Sequence, residues 1–146
     1  MADFYALEYV GGPDGTQNPP KKLDGRLVGA KERRNRAVKP SVTLAAGDRI
    51  YIGKVPAGSN PNSFSALTDT TLGTTTISIG TTSNPTKYVS AKTLTTVDVP
   101  TALGPKGSVV SAAPLTADED LWATLGVGGI ASGINLTFFT GYTIST

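Results

Sequence analysis

Apolar and polar residues alternate in three short segments between residues 48 and 80. Each segment has a pair of apolar residues two positions apart: Ile50 and Ile52, Phe64 and Ala66, and Ile77 and Ile79. A period of two is what a half-buried strand requires, because successive side chains point to opposite faces of a sheet. Turn-forming residues at 56–58 and 60–62 and Gly73 separate the segments. The pattern therefore predicts three strands, and it lacks the three- and four-residue spacing of a helix.

The flanking segments are less regular. The alternation of Val38, Val42 and Leu44 with polar residues predicts a first strand, and Pro40 places that strand at a sheet edge or delays its start. After Pro85, residues 86–92 could form one helical turn, because proline suits the first helical position. Residues 94–99 read as a weak strand in a long loop, and Val109 could begin another short strand.

The closing segment again alternates, first over residues 120–125 and then over residues 134–139. The glycine-rich run GVGGIASG separates the two halves, so the sequence predicts a hairpin with a long connection. Trp122 and Phe139 fall on the polar side of this pattern. Large aromatic residues there either lie under a loop or contact a partner.

Strands with frequent turns, and no alternation of strands with long helices, indicate an all-β fold. We predict an antiparallel β-sandwich, jelly-roll-like, over residues 37–146, with an extended N-terminal arm over residues 1–36. The chain of 146 residues suits one domain.

Composition narrows the class of function. The sequence has no Cys and no His, which removes disulfides, thiolate nucleophiles, Cys-ligated zinc and the commonest general base. We therefore expect no enzyme, no cofactor and no metal site. The first residues lack the basic start of a signal peptide, and no apolar run approaches the ~20 residues of a membrane span. We expect synthesis in the cytoplasm and no membrane association.

The predicted arm combines aromatic and basic residues. Residues 4–10 carry an aromatic patch that either docks on its own domain or on a neighbouring subunit. Residues 21–39 hold eight of the 13 basic residues and two acids, so this segment is +6 while the rest of the chain is −4. Basic clusters often bind nucleic acid. Here no aromatic residue is interleaved to stack bases, so docking on an acidic protein surface is favoured over nucleic acid.

Other candidate sites are weaker. Asp118, Glu119 and Asp120 match no calcium loop, because three consecutive carboxylates on a strand cannot converge. The glycines at 126–129 do not open a helix with a following lysine, which disfavours a phosphate cradle. Tyr51, Trp122 and Tyr142 could form a sugar-stacking platform, although their spacing does not show that they converge.

Three stretches carry a resemblance to a known group of proteins: GAKERRNRAV, AAGDRIYIGKVPAGS and LTDTTLGTTTISIGTTSNPTKYVSA. Over roughly residues 26–92 the chain resembles small structural proteins from the head-gene cluster of tailed bacteriophages. The shared features are a Gly-Asp strand ending in a Pro-Ala-Gly turn, an Asp-Thr-Thr-Leu-Gly turn, and an Ile-Ser-Ile-Gly strand followed by Tyr88.

The resemblance implies a capsid cement or decoration protein, displayed on the capsid surface of the virion. Its partner would be the major capsid protein, and it would form a dimer or trimer on the shell. The capsid-binding residues of the arm would then be Phe4, Tyr5, Leu7, Tyr9, Lys21, Lys22, Arg26, Lys31, Arg33, Arg34 and Arg36. Tyr51, Trp122 and Phe139 are the candidates for a subunit contact. The alternative is a carbohydrate- or receptor-binding module of a tail fibre or tail tip.

Overall fold

The computed structural model describes residues 2, 15–19, 22, 31–110 and 113–144. The described chain forms eight strands and one short helix. In chain order they are β1 Lys31–Val38, β2 Arg49–Val55, β3 Asn60–Thr68, β4 Thr76–Gly80, β5 Val89–Thr93, β6 Thr101–Gly104, α1 Gly107–Val110, β7 Glu119–Gly126 and β8 Leu136–Ile144.

The strands form two four-stranded antiparallel sheets. Sheet 1 has the order β1-β8-β3-β6, and sheet 2 has the order β2-β7-β4-β5. The pairs β1–β8, β2–β7, β3–β6 and β4–β5 are nested along the chain, as in a long hairpin that has been rolled up. This architecture confirms the predicted antiparallel β-sandwich, and the strand order is consistent with a jelly-roll-like fold.

The core lies between the two sheets and follows the period-two pattern. The three predicted central strands are β2, β3 and β4, and their apolar pairs are buried: Ile50, Ile52, Phe64, Ala66, Ile77 and Ile79. In the closing segment Leu121, Ala123 and Leu125 of β7 and Leu136 and Phe138 of β8 are also buried. Each large apolar side chain buried in this way contributes about 1.5–3 kcal/mol.

The closing segment is not a hairpin. β7 lies in sheet 2 between β2 and β4, whereas β8 lies in sheet 1 between β1 and β3. The glycine-rich run therefore carries the chain from one sheet to the other. An isolated β-bridge between Leu44 and Ile130 joins this run to the segment before β2. The predicted hairpin is wrong, because periodicity identifies the buried face of a strand and says nothing about which strand lies beside it.

Four other local predictions need correction. The first strand runs over Lys31–Val38 instead of 38–44; beyond Pro40, Val42 lies in a bend and Leu44 forms only the isolated bridge with Ile130. The predicted helical turn at 86–92 overlaps strand β5. Residues 95–100 contain no strand, and β6 follows at Thr101. Val109 lies in helix α1 instead of a strand.

The strand β1 also changes the predicted domain boundary. A boundary at residue 36 would fall inside this strand, which pairs with β8 from Lys31↔Ile144 to Val38↔Thr137. Its Asn35 Nδ2 donates to the backbone oxygen of Lys54 in β2, at 3.3 Å, so the strand contacts both sheets. Residues 31–36 therefore belong to the sandwich and not to an arm outside it.

Asn60, Pro61 and Asn62 begin β3 instead of ending the previous strand. Proline lacks a backbone donor and is normally excluded from strand interiors. Here the register with β8 shifts between Pro61 and Ser63, and β6 pairs only with Phe64, Ser65 and Ala66. Pro61 therefore occupies an irregular strand start where no second neighbour needs its N–H.

Gly80 marks a close approach of backbone to backbone. A Cβ atom built there would lie 2.2 Å from the carbonyl oxygen of Asn84, in the loop that folds back over the end of β4. Only glycine leaves room for that loop.

We expect Gly80→Ala to lower the free energy of unfolding by about 1–3 kcal/mol, because the backbone of the loop would have to move away from the new methyl group. Urea unfolding followed by tryptophan fluorescence would measure the change. Gly133→Ala is the matched control, since a Cβ there meets nothing within 4 Å. Equal stability of the two variants would contradict the close approach.

Asp69 joins the ends of β3 and β8. Its Oδ1 accepts from the backbone N–H of Asn135 at 3.0 Å, and its Oδ2 accepts from Asn135 Nδ2 at 2.7 Å. The backbone hydrogen bond, followed by the side-chain one, lowers the pKa of Asp69 below its usual value. A carboxyl group whose pKa is lower in the folded protein stabilises the fold above its unfolded pKa, and this contribution is lost as pH falls through the folded value.

Asp69→Asn should therefore lower the thermal midpoint at pH 7, and its difference from the unmodified protein should shrink as pH falls below about 4. Thermal unfolding between pH 7 and pH 2.5 would measure this. The matched control is Asp98→Asn, which removes an exposed carboxylate outside this hydrogen-bonded pair and should not lower the thermal midpoint at pH 7 to a comparable extent. A difference for Asp69→Asn that stays constant over the whole pH range would contradict the assignment.

Candidate functional site

The first candidate surface is the edge of sheet 1 formed by β1. One side of β1 pairs with β8, and within the described part of the chain no strand pairs with its other side. Lys31, Arg33, Arg34 and Arg36 are all exposed along this strand. The only acid of the strand, Glu32, lies 3.5 Å from the Nε of Arg34. An exposed pair of this kind contributes about 0–1 kcal/mol, so it does not neutralise the strand.

Two of the basic side chains, Arg34 and Arg36, share a face with apolar ones. Arg36 lies opposite Phe139 of β8, and Val38 lies opposite Thr137. Directly opposed residues on antiparallel strands point to the same side of the sheet, and so do Arg34, Arg36 and Val38 at two-residue spacing. We call Arg34, Arg36, Val38 and Phe139 the docking face. Val38 is 51% exposed and Phe139 is partly buried, so this outer surface of sheet 1 is both cationic and apolar.

The second candidate surface is the outer face of sheet 2. Tyr51 of β2 and Trp122 of β7 are opposed residues, with ring centroids 5.1 Å apart and an interplanar angle of 65°. The guanidinium of Arg49 lies 4.0 Å from the centroid of the Trp122 ring, and its Nη1 donates to Thr82 Oγ1 at 3.1 Å. We call Tyr51, Trp122 and Arg49 the aromatic face. Edge-on ring pairs and a cation over an indole ring both hold such side chains in one arrangement.

The structure does not bring together the three residues that the sequence suggested for a subunit contact. The structure brings Tyr51 and Trp122 together, but it places Phe139 on the outer face of the opposite sheet. Tyr142 is 8% exposed and packs in the core, so it does not join Tyr51 and Trp122 in a sugar-stacking platform. Of the arm residues, Lys22 is exposed, while Phe4, Tyr5, Leu7, Tyr9, Lys21 and Arg26 lie outside the described residues.

The aromatic face borders a group of carboxylates. The hydroxyl of Tyr51 donates to Asp120 Oδ1 at 2.8 Å, and this hydrogen bond raises the pKa of Tyr51. Lys54 Nζ lies 4.0 Å from the same oxygen. Asp118 Oδ1 accepts from the backbone N–H of Ala57 at 2.7 Å. Asp118, Glu119 and Asp120 each bind different partners instead of converging on one point.

Beside these carboxylates lies an open cleft of about 560 Å³. The loop after β4 forms one wall, with Thr81, Thr82 and Ser83, and Lys87 also lines the cleft. The segment leading into β7 forms the rest, from Leu115 to Asp120. The cleft therefore begins where the aromatic face ends, and Asp120 belongs to both.

A partly buried polar cluster supports the base of this cleft. Glu119 accepts hydrogen bonds from Lys87 Nζ through Oε2 and from the Tyr88 hydroxyl through Oε1. Tyr88 is fully buried and its ring stacks on Phe64 of sheet 1, with centroids 5.0 Å apart. Burial, and then the hydrogen bond to Glu119, raises the pKa of Tyr88. The tyrosine therefore stays protonated and donates to the carboxylate.

Sequence reasoning missed the roles of Lys87, Glu119 and Arg49. Lys87 and Glu119 are 32 residues apart, and the three adjacent acids at 118–120 look alike in the sequence. Arg49 immediately precedes the first alternating pair, so the strand pattern places it on the outer face next to Tyr51. That placement was available from the sequence, whereas its contact with Trp122 depends on the pairing of β2 with β7.

Among the described residues, no helix has the length and apolar character needed to cross a bilayer.

No protein-family model and no curated protein sequence matches this chain. Solved structures do match its fold. One is a chain of the capsid asymmetric unit of cyanophage Pam1, with a TM-score of 0.55 and 16% identity, covering 79% of this chain and 84% of that chain. Another is a chain of the capsid of Ralstonia phage GP4, with a TM-score of 0.58 and 17% identity, covering 80% of this chain and 85% of that chain. At such identities the likeness establishes a common fold.

Removing the buried hydroxyl at the base of the cleft should weaken the fold. We expect Tyr88→Phe to lower the free energy of unfolding by about 1–3 kcal/mol, because the partly buried carboxylate of Glu119 would lose one of its two hydrogen-bond donors. Tyr51→Phe removes an exposed hydroxyl that also binds a carboxylate, and we expect no measurable change for it. Urea unfolding at pH 7 distinguishes the two, and equal effects would contradict the structural role of the cluster.

Proposed function

We propose that this protein is a structural component of a bacteriophage virion that binds the outside of the assembled capsid and cements the major capsid protein subunits. The observation that carries the proposal is the fold shared with chains from two phage capsids over about four-fifths of their lengths. The sequence resemblance to small head proteins of tailed phages supports the same role independently. A binding role that makes and breaks no bond also suits a chain without Cys or His.

The docking face is the contact we assign to the capsid. Its arginines Arg34 and Arg36 favour an acidic partner surface, and such complementarity raises association rates and excludes basic partners. Val38 and Phe139 supply apolar area beside these charges. A central apolar contact with a charged rim is the usual anatomy of a protein interface. The exposed bases of β1 also discourage unwanted strand pairing at this edge.

The aromatic and basic residues before β1 extend this contact in the proposal. Residues 4–10 and 21–26 would lie on the shell next to the docking face. The sandwich and the segment before β1 would then both contact the capsid protein. In this arrangement two or three copies meet on the shell, and each copy holds more than one capsid subunit.

Stabilisation of the shell follows from linkage. A protein that binds the assembled lattice and not the free subunits shifts assembly by RT ln(1 + [L]/Kd) at each site, which is about 2.7 kcal/mol when its free concentration is 100 times Kd. Repeated over the many sites of a shell, modest contacts resist disassembly. No step in this mechanism needs a cofactor or a metal.

Charge reversal on the docking face tests the proposal. Arg36→Glu should weaken binding to capsids that lack this protein by about tenfold or more, because like charges at an interface cost several kcal/mol. Cosedimentation with such capsids at increasing protein concentration would give the affinity. Lys92→Glu makes the same charge change at an exposed position in sheet 2, and we expect it to bind normally.

Two results would contradict the proposal. If the unmodified protein does not cosediment with capsids at any concentration, the assignment to the shell is wrong. If both charge-reversed variants saturate capsids at the same concentration as the unmodified protein, the docking face is wrong although capsid binding stands.

A further inference from the structure

The cleft next to the aromatic face has no role in the proposed docking, because its lining comes from the loop after β4 and from the segment that leads into β7, and it includes no residue of the docking face. Its volume of about 560 Å³ falls in the range of small-molecule sites, roughly 300–1,000 Å³. When sheet 1 rests on a surface, the outer face of sheet 2 points away from that surface. The cleft would then stay open to solvent.

The lining of the cleft indicates the chemistry of its ligand. Hydroxyl groups come from four residues, Thr81, Thr82, Ser83 and Thr116, and carboxylates come from Asp118 and Asp120. A hydroxyl both donates and accepts, while a carboxylate only accepts, so this set matches a ligand that carries many hydroxyl groups. Asp118 and Asp120 each have one oxygen, Oδ2, without a hydrogen-bond partner within the described part of the chain.

The charges around the cleft argue against an ionic ligand. Lys87 is already bound to Glu119 inside the cleft, and Lys54 lies 4.0 Å from Asp120 at its rim. Arg49 reaches over Trp122 to Thr82 on the facing wall. Cations and carboxylates are thus interspersed around the opening, so neither a cation nor an anion meets a field of one sign.

Tyr51 supplies a ring for stacking at the rim. It is 46% exposed, and its edge contact with Trp122 and its hydrogen bond to Asp120 both fix its orientation. Arg49 lies over one face of Trp122, and Tyr51 is the more exposed of the two rings. A pyranose has a face of C–H groups that packs on an aromatic ring and a rim of hydroxyls that needs polar partners. Next to Asp120, the Tyr51 ring can pack on the C–H face, and the carboxylates and hydroxyls of the cleft can bind the hydroxyl groups.

We propose that the cleft between the loop 81–83 and the segment 115–120, with Tyr51 at its rim, is a binding site for a neutral carbohydrate. Tyr51 stacks on the apolar face of one sugar ring. Asp120 and Asp118 accept hydrogen bonds from its hydroxyls, and the threonine and serine hydroxyls line the remainder. Exposed Tyr, Trp and Arg side chains are also enriched at protein interfaces, but a concave, hydroxyl-lined cleft favours a small polyhydroxylated ligand over a flat protein surface.

The chain offers a direct readout, because Trp122 is its single tryptophan and contacts Tyr51. Full-length protein would be titrated with soluble hexaoligosaccharides of glucose, galactose, mannose and N-acetylglucosamine, each to 10 mM. We expect at least one of them to cause a saturable change in tryptophan fluorescence. Isothermal titration calorimetry would then give the affinity of that sugar for each variant.

Three variants and one control locate the site. Tyr51→Ala and Asp120→Asn should each weaken binding about tenfold or more, and Tyr51→Phe should bind more tightly than Tyr51→Ala because it keeps the ring. Phe139→Ala, on the opposite sheet, should bind like the unmodified protein. Circular dichroism would confirm that every variant is folded.

The proposal is overturned if no sugar in the panel produces a saturable response, or if Tyr51→Ala binds the responding sugar as well as the unmodified protein does. It is also overturned, in favour of a protein contact, if Tyr51→Ala lowers retention on capsids while no sugar binds. Arg36→Glu tests capsid binding, and Tyr51→Ala tests sugar binding. Because the two tests use different residues and different ligands, either proposal can fail without affecting the result for the other.

Discussion

The burial of two inner sheet faces against each other is the constraint on which the rest of this structure depends. Neither four-stranded sheet could leave its apolar face in water, so the chain must bring both faces together. The contact between Tyr88 and Phe64 shows how closely the two sheets meet. Tyr88 immediately precedes β5 of sheet 2, and Phe64 belongs to β3 of sheet 1. A buried hydroxyl needs a partner, and Glu119 meets this need while it also binds Lys87. Packing of the core thus determines where the start of β7 and the loop after β4 lie.

The same alternation that fills the core decides what the outer faces carry. Ile50 and Ile52 point inward, which leaves Arg49 and Tyr51 to point outward, and Leu121 and Ala123 have the same effect on Trp122. In sheet 1, Phe138 is buried and its neighbour Phe139 lies outside beside Arg36. The result is two outer surfaces of different chemistry, one cationic and apolar, the other aromatic with carboxylates and hydroxyls. A single sandwich can therefore carry two separate contacts.

The sequence predicted the strands that alternate strongly and failed on the others for identifiable reasons. β2, β3, β4, β7 and β8 bury residues at two-residue spacing, and their positions were predictable. β1 was missed because it begins with Lys31, Glu32, Arg33 and Arg34, and an edge strand with one neighbour needs few apolar residues. β5 buries only Val89. The partners of each strand were not predictable, because residues 127–135 are long enough to return within one sheet or to cross to the other.

The same limit applies to the candidate sites. The pattern placed Tyr51, Trp122 and Phe139 on outer faces but could not assign those faces to sheets, so it grouped three residues that the fold divides between opposite sides. The cleft depends on Gly80, which lets the loop 81–87 return toward β7. Such a contact between distant segments leaves no periodic signal in the sequence.

The position of β1 bears directly on how a basic surface binds a partner. A charged residue on a flexible segment loses conformational freedom when it docks, at a cost of about 0.5–1.5 kcal/mol for each side chain that is immobilised, together with the cost of ordering its backbone. The backbone of Arg34 and Arg36 is already ordered, because β1 pairs with β8 along its whole length and Asn35 is anchored to β2. These two arginines therefore avoid the backbone part of that cost. For equal contacts, the ordered strand should contribute more to affinity than the same charges on a free segment, and for this reason we place the centre of the proposed capsid contact on the docking face.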